Sequence, residues 1–172
     1  MENKYYQPEI EEFYVGFEFE IISLSSNNYK EDKSDCEWNN RVLKTEHLYS
    51  GYKEDSYLET VLSYLQDGHV RVKFLDEQDI LDLDWENLKT EGTPTFKKIK
   101  NIERLEDGDW CECILILRLR TIDGIPNVTI SSFNEHDPNY TVVGEYVKRK
   151  QLFCGEIKNK SELKKILKML EI

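Results

Sequence analysis

Cysteine and histidine are scarce in this chain of 172 residues, four and three respectively, and the scarcity removes whole classes of chemistry. Cys36, Cys111, Cys113 and Cys154 are too sparse for the disulfide scaffold that small secreted domains use in place of a core. No histidine stands four residues from another among His47, His69 and His136. Phosphate loops of the GxxxxGK[ST] or GxGxxG type are absent, and no Gly-flanked serine forms a nucleophile elbow. No apolar run approaches the ~20 residues that cross a bilayer. The segment Met1-Glu2-Asn3-Lys4-Tyr5 lacks the basic and apolar regions of a secretory signal. The expectation is a cytoplasmic chain with reduced thiols, no cofactor, no metal and no membrane partner.

What is present is enough for a core. An apolar fraction of 39% with 12% aromatics lies far from the disordered class. A chain of this length hides roughly 70% of its unfolded surface, which fits one domain over residues 1–172. The net charge is −11, unevenly spread: residues 144–172 carry eight Lys/Arg against four Asp/Glu, so the acid excess lies before them. Such a field repels nucleic acid and anionic membranes at long range and attracts basic surfaces.

Residues 11–23 alternate, with Phe13, Val15, Phe17, Phe19 and Ile21 to one side and Glu12, Tyr14, Gly16, Glu18 and Glu20 to the other. Period two over this length predicts a half-buried antiparallel strand, with Gly16 marking a bulge or a close backbone neighbour. Residues 23–40 read as a loop leading into a strand over 41–49. Ser56 and Glu59 stand at capping-box spacing ahead of Leu58, Val61, Leu62 and Leu65, with Gly68 as the stop. Val70, Val72 and Phe74 predict a short strand, and Asp76 caps a short helix over 77–83. Further strands are expected near 93–99, over 110–121 as a central strand apolar on both faces, over 127–133 paired with 140–148, and over 151–157. Asn159 and Glu162 form a second capping-box pair opening a terminal helix, with Leu163, Ile166, Leu167 and Leu170 inward and Lys160, Lys164, Lys165 and Lys168 outward. The whole predicts an α+β fold, an antiparallel-rich sheet of about five to seven strands with two principal helices packed on it.

Cys111-Glu112-Cys113 places two sulfurs on one strand face, but structural zinc needs four soft ligands and the other cysteines are solitary. Small buried core residues are the better account of the pair. Carboxylate pairs such as Glu18/Glu20, Asp82/Asp84 and Asp107/Asp109 are too common in an acidic chain to single out a general acid and base. No catalytic residue is assigned.

Three segments carry a resemblance: Ile10-Glu11-Glu12-Phe13-Tyr14-Val15-Gly16-Phe17-Glu18, Val70-Arg71-Val72-Lys73-Phe74-Leu75-Asp76, and Phe153-Cys154-Gly155-Glu156-Ile157-Lys158-Asn159-Lys160-Ser161-Glu162-Leu163-Lys164-Lys165. Together they resemble small uncharacterised proteins of Bacteroidota phages and mobile elements. The resemblance implies a setting and no transferable residue: such proteins often act stoichiometrically on host machinery, as anti-CRISPR proteins do on RNA-guided nucleases, here of type VI.

The functional expectation is therefore a non-enzymatic inhibitor in the cytoplasm of the bacterial host, docking an acidic face on a nucleic-acid-handling effector protein. The partner-binding residues are Glu11, Glu12, Glu18 and Glu20, with carboxylates two residues apart on a strand spaced by roughly 6.5–7 Å, close to a phosphate repeat. Two alternatives stand beside it. One is a phage accessory or structural protein that self-associates through sheet edges. The other is an RNA-binding regulator using Lys160, Lys164, Lys165 and Lys168, although the acid excess works against direct nucleic-acid binding.

Overall fold

The computed structural model describes residues 4–22, 37–45, 57–104, 110–134 and 150–172, with the backbone alone at 57–59, 101–104, 110–112 and 134. The chain divides into two compact units, Met1–Phe74 and Leu75–Ile172. Each has its own antiparallel sheet, so the sheet expected as one is two, of four and five strands.

In the first unit the order is β1 (Tyr5–Tyr6), β4 (Val70–Lys73), β2 (Glu18–Ile22), β3 (Trp38–Val42). Helix α1 (Tyr57–Gln66) covers one face, where Val61 and Leu65 pack with Phe17, Phe19, Ile21, Leu43, Val70 and Val72. Gly68 ends the helix as its spacing predicts: at φ 66° it lets its own amide reach Leu65 O at 3.0 Å and the His69 amide reach Tyr64 O at 2.7 Å. Ser56, the expected cap, lies outside the described residues.

The strand expected over 11–23 is corrected. Among the described residues of that span only Glu18–Ile22 forms a strand; Ile10–Glu12 forms a 3-10 turn, and a second turn follows at Val15-Gly16. Gly16 adopts φ 95° and donates its amide to Leu43 O at 2.7 Å. The reversal folds Phe13 back until its ring lies 5.0 Å from that of Phe17, and it leaves Val15, expected inward, 48% exposed. Tyr14, expected outward, packs against the core instead. Alternating side chains suit such a folded-back segment as well as a strand, so periodicity alone misplaces it. The strand expected over 41–49 is shifted to Trp38–Val42, and residues 46–49 lie outside the described ones.

The second unit orders β5 (Glu86–Asn87), β6 (Thr95–Arg104), β7 (Trp110–Ile122), β8 (Ile125–Asn134) and β9 (Lys150–Glu156). β7 is central, as its doubly apolar pattern predicts: Leu115, Leu117 and Leu119 enter the helix-side core, while Ile114 and Ile116 are buried on the opposite face. Here β8 pairs with β7 through Asp123-Gly124, both at positive φ (52° and 80°), as a two-residue hairpin turn of the primed kind requires. The segment 140–148 lies outside the described residues. Helix α2 (Glu77–Leu81) opens on a capping box in which Asp76 and Asp79 each accept the other's amide. Helix α3 (Lys160–Met169) opens with the Asn159 side chain accepting the Glu162 amide at 2.9 Å. Glu162 accepts from the amide of Lys158 at 2.6 Å. Leu163 and Leu167 bury against Ile80, Trp85, Phe96 and Ile157. Both principal helices thus pack on antiparallel sheet in an α+β fold. No helix among the described residues is long and apolar enough to cross a membrane.

Candidate functional site

On the face of the first sheet opposite α1, each strand contributes one side chain to a single cluster. Period two sends Val70 and Val72 into the core and leaves Arg71 on the other side of β4. In the next strand Glu20 is its register partner. Arg71 Nε donates to Glu20 Oε2 at 2.7 Å. The guanidinium carbon lies 3.8 Å from the ring centroid of Tyr5 on β1 and 3.9 Å from that of Trp38 on β3. Tyr5 Oη donates a long hydrogen bond of 3.5 Å to Glu20 Oε1. Cation–π contact on two rings and an ion pair in a face partly shielded from water reinforce one another.

This cluster changes the standing of the four glutamates expected to bind a partner. Glu11 is exposed, but on the 3-10 turn and not on a strand. Glu12 sits on the same turn, half-buried, and accepts a 2.7 Å hydrogen bond from Tyr6 Oη. Glu18 and Glu20 share β2 and its outer face, both half-buried, and Glu20 is committed to Arg71. Only Glu18 and Glu20 keep the two-residue strand spacing, so the structure does not contain a phosphate-like row running from Glu12 to Glu20.

What the turn does build is a ledge. Glu9 and Glu11 are exposed on either side of Ile10, which is 40% exposed, and Val15 follows. Sequence reasoning missed Ile10 and Val15, because the alternation assigned Val15 to the core. Arg71, Tyr5 and Trp38 were also missed; the alternation in Val70-Arg71-Val72 marks Arg71 as outward but does not name the residues it meets.

Elsewhere, Cys113 is buried in the second unit's core, whereas the side chain of Cys111 lies outside the described residues. Among the described residues no three His, Cys, Asp or Glu gather as metal ligands. On α3, Lys164, Lys165 and Lys168 are exposed, but Lys160 Nζ is tied to Asp82 Oδ2 at 2.7 Å. No protein-family model, no curated protein and no solved structure matches the chain.

Proposed function

We propose that the chain acts by binding, without catalysis, as an inhibitor of a host defence protein, and that the first unit carries the docking surface. The supporting observation is the ledge Glu9-Ile10-Glu11, an exposed apolar side chain between two exposed carboxylates, with Val15 exposed five residues after Ile10. Protein interfaces use that combination: apolar groups are desolvated at the centre while rim charges steer the encounter. The first unit carries fifteen Asp/Glu against eight Lys/Arg, which selects a basic partner, and basic surfaces are what nucleic-acid-handling proteins present. In the setting implied by the resemblance to phage-borne Bacteroidota proteins, the partner is an RNA-guided nuclease of type VI and the chain an anti-CRISPR.

The test is RNA cleavage by a purified type VI nuclease with its guide, titrated with the chain. Cleavage should fall to background at a fixed stoichiometric ratio. Undiminished cleavage together with no detectable binding would overturn the proposal. The exposed lysines of α3 favour one other reading, RNA binding by the second unit. A mobility shift of bare RNA that disappears on replacing Lys164, Lys165 and Lys168 with Glu would establish that reading instead.

A further inference from the structure

The geometry points to a carboxylate-binding clamp at Arg71, made by Tyr5, Trp38 and Glu20, that takes an Asp or Glu side chain of a docked protein. Three features define it. The guanidinium carbon lies over two rings, 3.8 Å from the centroid of Tyr5 and 3.9 Å from that of Trp38. Its Nε edge is closed by Glu20 at 2.7 Å. Its two Nη groups make no hydrogen bond among the described residues, and the side chain remains 29% exposed. A planar cation held by two rings and paired at Nε offers its Nη edge, and that edge matches the two oxygens of a carboxylate in parallel hydrogen bonds. The group is already immobilised by one residue from each of the other three strands of the sheet, so little rotamer entropy is left to lose on binding.

Charge decides between the oxyanions that fit the same fork. Glu20 is in contact with the guanidinium, and Glu18 lies two residues along the same strand face. A doubly charged phosphate meets more repulsion there than a singly charged carboxylate, and a polyphosphate strand meets the acid excess of the whole unit. The occupant assigned is therefore a carboxylate of a protein partner. This deepens the docking proposal: opposite the acidic ledge the partner is basic, and opposite Arg71 it carries one acidic side chain.

The experiment uses the full chain labelled with 15N and needs no partner protein. Sodium acetate or inorganic phosphate is titrated at constant ionic strength, with sodium chloride as balance, while the Arg71 Nε–H and Trp38 indole N–H signals are followed. Acetate should shift both signals along a saturating curve with a midpoint of about 100 mM, the weak affinity of one bidentate pair in isolation. Arg71→Lys, which keeps the charge but loses the planar fork, should abolish the saturable shift of the Trp38 signal while the amide spectrum stays folded. Trp38→Leu should weaken acetate binding several-fold, read at Arg71. Linear, unsaturable shifts with acetate, or the same curve in Arg71→Lys, would overturn the clamp. Tighter binding of phosphate than of acetate would also overturn it and point to nucleic acid. A failed titration removes the clamp and leaves the ledge standing, whereas a failed nuclease assay removes the docking proposal and leaves the titration interpretable.

Discussion

Glu20 and Arg71 are cross-strand partners on β2 and β4, and their side chains close to 2.7 Å on the face of the sheet opposite the helix. Glu20, one of the four glutamates expected to bind a partner, is thus an internal counter-ion before any partner arrives. Arg71→Ala would leave the Glu20 carboxylate half-buried without its cation and would unstack both Tyr5 and Trp38. Discounted for the partial exposure of the pair, the expected loss is about 1–2 kcal/mol in urea unfolding. Arg71→Lys should recover part of it.

Leu163 anchors the last helix and is fully buried against the second unit's core. Truncation removes its transfer free energy and leaves a cavity, so Leu163→Ala should cost about 2–5 kcal/mol. The exposed neighbour Lys164 offers the control: Lys164→Ala should change the urea midpoint little.

Gly124 sits at φ 80° in the β7–β8 turn, with nothing within 4 Å of the position a Cβ would take. Any cost of Gly124→Ala is therefore backbone strain alone, about 1 kcal/mol in the same unfolding measurement. A much larger loss would show that the turn residue makes contacts beyond its own backbone.

Elements with a local chemical stop or start were legible in the sequence. Gly68 ends α1, Asp76 opens α2 with a full capping box, and Asn159 opens α3, each where the residue types place it. The central position of β7 followed from apolar residues on both its faces. Asp123-Gly124 is a favoured hairpin dipeptide, and β8 starts directly after it at Ile125, two residues before the strand expected over 127–133. The failures came where side-chain order mimics a period without fixing a backbone. Phe13, Phe17 and Phe19 do gather in one core, but they do so through a turn at Gly16, and that turn takes Val15 and Glu12 off the strand. The division into two sheets was not legible, because a strand's pattern records that one face is covered and not which sheet it joins. The site was partly legible. Glu18 and Glu20 lie on the outer face of β2 as the alternation predicts, but the Arg71 cluster depends on contacts between residues up to 66 apart in sequence, from Tyr5 to Arg71, which no local pattern encodes.

The central claim is that exposed acid on the first unit steers it onto a basic protein. Glu12 and Glu20 are unsuitable for testing it, since reversing either would break an internal contact. Glu9 and Glu11 are exposed on the ledge, so the decisive measurement is the association rate of Glu9→Lys/Glu11→Lys with a type VI nuclease, beside that of the parent chain. At about 50 mM salt the variant should associate roughly tenfold more slowly, with dissociation little changed, and the gap should close as salt rises and the Debye length shrinks. Equal association rates for parent and variant at low salt would contradict the account.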